Sequence, residues 1–372
     1  MGKVLVTGGA RFIGSHTVDH LLARGYEVRI LDNLQERVHP RGAPAYLAGD
    51  AELVIGDVAN RSDMARALMG VDYVIHLAAY QDYMPDFSTF IHVNTESSAL
   101  IFELIVEGQL PIRKVVFASS QSVAGEGTYT CAEHGLVTPD PRSLIHLERG
   151  DWELHCLKCG NAMAPHPIPE TVCRPHTAYA ISKYSIELLA KSLGSRYGLP
   201  TACMRYTYVQ GSRNSFFNAY SGICRRFALR ITNGLPPVCY EDGQQLRDYV
   251  NVADVARANV LAMESKADDH AVYNVGGGRG VTVLEFARIM LNACGSPLEP
   301  QVPGEYRLGD TRHTVSDISA MRRLGWEPTI RAEQSAIEYL SWMSGFSSTT
   351  QYLQEAEQIM RQQGVVRSVV HA

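Results

Sequence analysis

The chain has 372 residues, of which 45% are apolar and 20% charged, and its formal net charge is -5. This is the composition of an ordinary globular protein, and the length favours one large α/β domain with a smaller lobe. The net negative charge gives no electrostatic reason to expect nucleic acid or an anionic membrane as a partner.

The N-terminal residues enter a predicted strand without the charged and apolar regions of a signal peptide, and no apolar run is long enough to cross a bilayer. We therefore expect a cytoplasmic protein whose thiols stay reduced. Four cysteines lie singly in apolar surroundings and are expected to pack as small apolar side chains. They are Cys203, Cys224, Cys239 and Cys294.

Short apolar runs alternate with segments of helical periodicity in the first half of the chain. The predicted strands are Lys3–Thr7, Glu27–Leu31, Glu52–Ile55, Tyr73–His76, Lys114–Ser119 and Pro200–Arg205. The predicted helices are Ile13–Ala23, Ser62–Met69, Val93–Glu107 and Ala178–Tyr197. This repetition predicts an α/β fold with a Rossmann-type, doubly wound parallel sheet and right-handed crossovers.

Two regions depart from this alternation and set the predicted domain bounds. A proline-rich, cysteine-containing insert at about residues 121–174 interrupts the predicted Rossmann domain, which covers residues 1–205. Residues 206–345 are expected to form mainly a smaller C-terminal lobe that binds substrate, and residues 346–372 a helical or partly disordered tail. The predicted helices of the lobe lie near Gly222–Asn233, Val255–Glu264, Thr282–Leu291 and Ala332–Met343.

A glycine-rich loop between the first strand and the first helix indicates a dinucleotide site. Glycines there let the backbone approach a pyrophosphate, and the helix N-terminus supplies amides and a positive dipole end. Asp32 ends the second strand, where a carboxylate accepts both hydroxyls of an adenosine ribose. The expected cofactor-binding residues are Gly8, Arg11, Phe12, Ile13, Gly14, Asp32, Asn33, Asp57, Val58, Leu77, Ala78 and Ala79.

Tyr179 and Lys183 are spaced by four residues on a predicted helix, so both side chains lie on one face. An ammonium group beside a phenol lowers the tyrosine pKa, which would let Tyr179 act as a general base near neutral pH. Ser120 ends the fifth strand, where its hydroxyl can hydrogen-bond the reacting oxygen, and Ser119 or Ser122 are alternatives for that role.

Together these motifs resemble the extended short-chain dehydrogenase/reductase family, over nearly the whole chain to about Met343. The resemblance implies that Tyr179 is the catalytic base, that Lys183 binds the nicotinamide ribose, and that Ser120 assists. The family's glycine pattern is kept except that Arg11 replaces the middle glycine. Asp32 favours NAD because it repels the 2'-phosphate of NADP, whereas Arg11 leaves NADP open as an alternative.

Two further segments resemble those of nucleotide-sugar enzymes in the same family. The segment from Arg247 resembles R-D-Y/F-V-x-V-x-D-V, and the segment from Arg307 resembles R-x-G-D. Two converging arginines suit a diphosphate, because guanidinium groups match phosphate oxygens. The resemblance implies that the substrate contacts are Ser120, Gln121, Tyr179, Tyr208, Arg247 and Arg307, although Tyr208 stands where the family has an asparagine.

The residues after Ser120 bear on the reaction. Dehydratases and decarboxylases of the family have acidic residues there, whereas this chain has Gln121 and Ser122, which do no acid–base chemistry. We therefore expect NAD-dependent C4 epimerisation of a dTDP- or UDP-sugar through a transient 4-keto intermediate. The alternatives are an NAD(P)H-dependent 4-ketoreductase and a catalytically degenerate protein that binds sugar nucleotides.

The insert contains Cys131-x-x-His134 and Cys156-x-x-Cys159, and the layout around them resembles the dTDP-L-rhamnose 4-epimerase-like subgroup of the family. Two such pairs suit a tetrahedral structural zinc, and the alternatives are packed reduced thiols or a redox pair. In the family, the equivalents of helices Val93–Glu107 and Ala178–Tyr197 pair across a two-fold axis, so a homodimer is expected.

Overall fold

The computed structural model describes residues 2–82, 84–217, 222–267, 269–346 and 349–369. The strands are β1 (Lys3–Thr7), β2 (Glu27–Asp32), β3 (Glu52–Ile55), β4 (Tyr73–His76), β5 (Lys114–Ser120), β6 (Thr128–Cys131), β7 (Gly135–Val137), β8 (Ala164–His166), β9 (Thr201–Tyr206), β10 (Tyr208–Gln210), β11 (Leu246–Asn251), β12 (Ala271–Val275), β13 (Gly280–Thr282), β14 (Glu305–Arg307) and β15 (Val366–Ser368). The helices are α1 (Phe12–Ala23), α2 (Arg61–Leu68), α3 (Phe87–Phe90), α4 (Ser97–Glu107), α5 (Leu144–Glu148), α6 (Ala178–Tyr197), α7 (Gly222–Thr232), α8 (Val252–Glu264), α9 (Val283–Ala293), α10 (Ser319–Arg323), α11 (Ala332–Met343) and α12 (Thr350–Gln362).

In the described ranges the main sheet has seven parallel strands in the order β12-β9-β5-β4-β1-β2-β3. The central strands are buried on both faces, as the continuous apolar runs Val4–Val6 and Val115–Phe117 require. Helices α1 and α8 contribute to the apolar core on one face, and α2, α4 and α6 to the core on the other. The predicted Rossmann-type, doubly wound fold is confirmed. The strand order reverses beside β1, and ligands bind at such a switch point in open α/β sheets.

Two elements from the C-terminal half also belong to this layer. Strand β12 pairs with β9 at the edge of the main sheet, and α8 packs against α1. The chain after Arg205 therefore returns to the large domain before it completes the smaller lobe. The helix predicted from Val93 starts earlier, at Phe87, and contains a π-helical turn at Ile91–Glu96 between α3 and α4.

The smaller lobe is built on the three-stranded sheet β10-β11-β13 and the helices α7, α9 and α11, which share one apolar core. Helix α12 lies in the predicted helical tail, and β15 pairs with β14. The tip that was expected to be disordered lies at 370–372, outside the described residues. Every helix in the described ranges is too short or too polar to span a bilayer.

The insert forms a separate antiparallel sheet, in the order β7-β6-β8, with a small core of its own. It begins after the 3-10 turn Gln121–Ala124 at the end of β5 and runs to the start of α6. The insert therefore leaves the main sheet at its carboxyl edge, next to the switch point.

Candidate active site

Two adjoining pockets lie along the carboxyl ends of the main strands. The larger has a volume of about 380 Å³ and extends from the glycine loop past the ends of β5 and β9 into the small lobe. The smaller has a volume of about 160 Å³ and lies over the ends of β2 and β3. Gly8, Arg11 and Ala79 line both, so the two pockets form one elongated cleft at the place that the sequence predicts.

The smaller pocket contains the residues expected to bind an adenosine. The carboxylate of Asp32 accepts the backbone amides of Ala10 and Leu34, each at 3.0 Å, which fixes its orientation. The amide nitrogen of Asn33 donates to Asp57 at 3.0 Å. The predicted residues lining this pocket are Gly8, Arg11, Asp32, Asn33, Asp57, Val58, Ala78 and Ala79.

The glycine loop packs its own backbone too closely for larger side chains. A Cβ atom on Gly14 would lie 2.1 Å from the carbonyl oxygen of Gly8, so only glycine lets α1 start here. Gly8 has a φ of +67°, a conformation that glycine adopts without strain. The other predicted loop residues, Phe12 and Ile13, line the larger pocket together with Leu77.

Arg11 lies between the two pockets. Its Nη1 atom donates to the carbonyl oxygen of Ala79 at 3.1 Å. The side chain therefore crosses the cleft from the loop after β1 to the loop after β4. Burial lowers the pKa of Arg11 and the neighbouring Asp32 opposes this effect, so the side chain brings positive charge to the middle of the cleft. That is the place where the glycine loop would meet a pyrophosphate.

The three predicted catalytic side chains lie together in the larger pocket. Tyr179 and Lys183 project from the first turns of α6, whose N-terminus is capped by Thr177. The ammonium group of Lys183 donates to the carbonyl oxygen of Ala118 at 2.9 Å, and a hydrogen bond links Ser120 to Tyr179. The helix start and the end of β5 thus bring a phenol, a hydroxyl and an ammonium group to one wall of the cleft.

The prediction from spacing that the pKa of Tyr179 is lowered is wrong. Burial raises the pKa of Tyr179 to about 12, and the hydrogen bond from Ser120 and the charge of Arg11 offset only part of this. Burial also lowers the pKa of Lys183 to about 8. Desolvation dominates both groups because they lie in the closed base of the cleft rather than on an exposed helix face.

The structure separates the three serines that the sequence left as alternatives. Ser119 also lines the larger pocket, but it is buried and its hydroxyl donates to Glu187, which is also paired with Arg205. Ser120 lines the pocket, and the hydroxyl of Ser122 donates to Ser120 at 3.0 Å. Ser120 is therefore the one of the three that lines the pocket with a hydroxyl that does not donate to a buried carboxylate.

The two predicted phosphate-binding arginines do converge. Arg247 and Arg307 both lie 3.7 Å from Oδ2 of Asp310, and all three line the larger pocket. Burial would raise the pKa of Asp310, but the two guanidinium groups outweigh it and leave the pKa below its usual value. The guanidinium of Arg247 also lies over the ring of Tyr208, 5.3 Å from its centroid. This end of the cleft is therefore suited to an anionic group.

Gln121 is the one predicted substrate residue that does not line the larger pocket as described. Its Oε1 atom is buried without a hydrogen-bond partner among the described residues.

Arg226 was not predicted from the sequence, although it lines the pocket and donates to the hydroxyl of Tyr240 at 2.6 Å. Arg226 and Tyr240 lie outside the motifs, and only the fold brings α7 and the chain before β11 to the cleft.

The four predicted metal ligands lie together in the insert, away from the cleft. Their ligand atoms, in Cys131, His134, Cys156 and Cys159, lie within 4.8 Å of one another. The Sγ atom of Cys131 is 3.6 Å from both His134 Nδ1 and Cys159 Sγ, and Cys156 Sγ is 3.5 Å from His134 Nδ1. Two segments separated by more than twenty residues thus place all four donors around one point.

The sequence profile of the NAD dependent epimerase/dehydratase family matches residues 4–143 and 160–276. The chain is 31% identical to dTDP-L-rhamnose 4-epimerase of Burkholderia thailandensis, over 92% of this chain and 95% of that one. It is 26% identical to UDP-glucose 4-epimerase of Corynebacterium glutamicum, over 88% of this chain and 91% of that one.

Solved structures share the fold over most of the chain. UDP-glucose 4-epimerase of Thermotoga maritima, solved with UDP-glucose, is 29% identical with a TM-score of 0.75, over 92% of this chain and 99% of that one. UDP-glucose 4-epimerase of Thermus thermophilus, solved in complex with NAD, is 28% identical with a TM-score of 0.72, over 93% of this chain and 100% of that one.

Proposed function

The chain belongs to the NAD-dependent epimerase/dehydratase family, and from this premise we propose that it interconverts the C4 epimers of a nucleotide sugar. The observation that carries the proposal is the continuity of the cleft. Tyr179, Ser120 and Lys183 lie between the dinucleotide pocket and the paired arginines Arg247 and Arg307. A sugar whose diphosphate binds the arginines would present its ring to Tyr179.

NAD fits the residues of the cleft. Gly8 and Gly14 let the loop after β1 fold tightly against the start of α1, where a pyrophosphate would meet the helix N-terminus, and Arg11 supplies a positive charge beside it. The fixed carboxylate of Asp32 is placed to accept the ribose hydroxyls, and its charge disfavours a 2'-phosphate. When bound, NAD accepts a hydride from the sugar carbon and returns it.

The chain's own groups handle the proton and the orientation. The phenolate form of Tyr179 would take the proton of the 4-hydroxyl and later give it back, while Ser120 would hydrogen-bond the same oxygen. Lys183 holds its ammonium group beneath the reacting centre through the carbonyl of Ala118. Arg247 and Arg307 would hold the diphosphate while the 4-keto sugar rotates, so that either face of its ring could be presented to the dinucleotide pocket.

The test is an isotope experiment on dTDP-L-rhamnose, chosen because a relative 31% identical carries that name, with UDP-hexoses as competitors. We expect a 4-epimer to form without added NADH, and a substrate deuterated at C4 to keep its label. Loss of the label to solvent, a change at C5 or C6, or a requirement for stoichiometric NAD(P)H contradicts epimerisation. The last result would indicate a ketoreductase.

We further propose that the cysteine–histidine cluster holds a structural zinc. Zn–S bonds of about 2.3 Å and Zn–N bonds of about 2.0 Å in a tetrahedron separate the ligand atoms by roughly 3.3–3.8 Å. The separations of 3.5 and 3.6 Å in the cluster agree with this, whereas a disulfide would need about 2.05 Å between sulfur atoms. All eight cysteines, each within the described residues, are free thiols.

Protein purified without exposure to a chelator is expected to contain about one zinc ion per chain. Elemental analysis measures this directly. Cys156→Ser should lose the metal, because three ligands bind it less well, whereas Cys294→Ser should keep it, since Cys294 is exposed and far along the chain in α9's C-terminal cap. Metal-free native protein would return the four residues to a packing role.

A homodimer and a cytoplasmic location complete the proposal. The adjacent helices α4 and α6, with the turn before α4, leave several large apolar side chains exposed: Phe87, Ile91, Val106, Ile181 and Leu188. A second copy of the chain would cover this face.

We propose a cytoplasmic location because the cytoplasm is the compartment that keeps thiols reduced.

Light scattering at micromolar concentration is expected to give twice the chain mass of 41.0 kDa. Replacing both Ile181 and Leu188 with glutamate should give monomers, because charge would then be buried in the interface. Met69→Glu, at an exposed apolar position outside this face, is the matched control and should remain dimeric. A monomer mass for the native chain would contradict the proposal.

A further inference from the structure

The cysteine insert also contacts the segment that carries one of the phosphate-binding arginines. We define the cysteine module as residues 126–168, which include β6, β7, α5 and β8. We define the arginine segment as residues 305–314, which include β14, Arg307 and Asp310. The module lies far from the arginine segment in sequence, so their contacts are made by the fold alone.

Two buried side chains of the module hold the backbone of the arginine segment. The amide of Arg312 donates to Oε2 of Glu126 at 3.0 Å, and the amide of His313 donates to the hydroxyl of Tyr129 at 3.2 Å. Both acceptor side chains are fully enclosed. Because the bonded groups are backbone amides, these contacts fix the path of the chain and not only a side chain.

A second set of contacts is ionic. Nε and Nη2 of Arg312 donate to Oε1 of Glu153 at 3.0 and 2.6 Å, and the ring of His313 lies 3.1 Å from Oε2 of Glu153. Arg142 donates to the carbonyl of Asp310 at 2.9 Å while it is paired with the buried carboxylate of Glu241. The module thus bonds to the arginine segment at three residues, Asp310, Arg312 and His313.

The arginine segment in turn holds Arg247. The Nη1 atom of Arg247 donates to the carbonyl of Arg312 at 2.9 Å, and its Nη2 atom donates to the carbonyl of Thr311 at 3.0 Å. A shift of the segment would therefore move Arg307 with its own backbone and would also release Arg247. The geometry of both guanidinium groups depends on one stretch of chain.

Two module residues that contact the arginine segment, Tyr129 and Glu153, are close in sequence to the cluster ligands. Tyr129 precedes Cys131 by two residues in β6, and Glu153 precedes Cys156 by three. The core of the module is small and consists largely of these same residues: Tyr129, Cys131, Leu154, Cys156 and Met163. So small a core gains little from apolar burial, and a bound metal would supply much of the energy that orders it.

We propose that the cysteine module is a positioning element for the diphosphate site, and that its four-ligand centre keeps Arg247 and Arg307 in place for a nucleoside diphosphate. This rests on the proposed function, since it takes the two arginines as the diphosphate ligands. The module makes no wall of the dinucleotide pocket. Loss of the centre therefore weakens binding of the nucleoside diphosphate and leaves binding of the dinucleotide unchanged.

The experiment measures binding of UDP and dTDP, and separately of NAD, by calorimetry, together with KM and kcat. Cys156→Ser is expected to weaken nucleoside diphosphate binding and raise KM by about 10–100-fold, because a displacement of an orienting group by an ångström has effects of this size. The dissociation constant of NAD and kcat should stay within about twofold. Cys294→Ser, outside the module, should change none of these values.

A second variant keeps the cluster and removes the contacts that Tyr129 and Glu153 make with the arginine segment. Tyr129→Phe combined with Glu153→Ala should weaken nucleoside diphosphate binding to a similar extent, and adding Cys156→Ser should weaken it little further, since the two changes act along one path. Native affinity for UDP and dTDP in the Tyr129→Phe, Glu153→Ala variant would overturn the proposal. Equal loss of NAD and nucleoside diphosphate binding in Cys156→Ser would overturn it as well. Arg247→Ala separates it from the proposed function: if that variant binds UDP and dTDP as the native chain does, the diphosphate site itself is wrongly assigned.

Discussion

Tyr179→Phe is expected to lower kcat by about 10²–10⁴-fold, because the variant keeps the ring and loses the hydroxyl that we propose moves the proton of the sugar hydroxyl. The ring packs against Phe90, with centroids 6.4 Å apart, so phenylalanine should occupy the same space. The dissociation constants of NAD and of the nucleoside diphosphate should stay near the native values. Turnover of the deuterated substrate, followed by mass spectrometry, measures the effect.

The matched control is Tyr197→Phe at the C-terminal end of the same helix, where the tyrosine is exposed. That variant loses an identical hydroxyl group and should keep full activity. If Tyr179→Phe retained more than about a tenth of native kcat, proton transfer by Tyr179 would contribute far less than a general base does. The assigned role would then be wrong, whatever the overall reaction proves to be.

The high pKa of Tyr179 explains why the sequence alone misjudged this residue. The spacing of Tyr179 and Lys183 correctly predicts that they share a helix face, but the pKa depends on burial, which periodicity does not reveal. Desolvation raises the pKa of Tyr179 to about 12. A positive charge in the cleft beside the phenol acts in the opposite direction, as Arg11 already does in part.

The sequence was most informative where function depends on local pattern. The glycine loop, Asp32 and the predicted strands lie where the motifs require, because one strand, one turn and one helix start determine them. It was less informative where side chains from distant segments meet. The contact of Arg226 with Tyr240 and the grip of the insert on residues 310–313 leave no periodic signal, since they depend on the packing of the whole chain.

The return of the chain to the main sheet is a similar case. Strand β12 is a short buried run, and neither its composition nor its length distinguishes an edge strand of the large domain from a strand of the lobe. Its pairing with β9 is decided by the apolar face that α8 and α10 share with it. The elements predicted from the sequence include no strand here, and a short apolar run alone would not assign one to a layer.

Arg205→Met is expected to lower the free energy of unfolding by about 3–5 kcal/mol, the usual cost of leaving one partner of a buried ion pair uncompensated. The Nη2 atom of Arg205 lies 2.7 Å from Oε2 of Glu187, and its Nε atom donates to Oε1 at 2.7 Å. Both side chains are almost wholly enclosed, at 1% and 4% exposure. Urea denaturation, followed by circular dichroism, measures the change.

The double variant Arg205→Met, Glu187→Met tests the physical reason. Removing both charges leaves no buried carboxylate without a partner, so the double variant should unfold at higher urea than Arg205→Met alone. Some loss should remain, because Arg205 also donates to the carbonyl oxygens of Glu170 and Val172, and Glu187 accepts from Ser119.

Arg61→Met, at an exposed ion pair with Glu103, is the surface control and should change the free energy of unfolding by less than about 1 kcal/mol. A double variant no more stable than Arg205→Met would mean that the uncompensated charge of Glu187 is not the cause of the loss. The ion pair links α6, which carries Tyr179, to β9 and through Ser119 to the end of β5, which carries Ser120. We therefore expect Arg205→Met to lose activity near the midpoint of unfolding, where the fraction of folded enzyme sets the rate. At low urea, where the cleft is intact, its activity should stay near the native level.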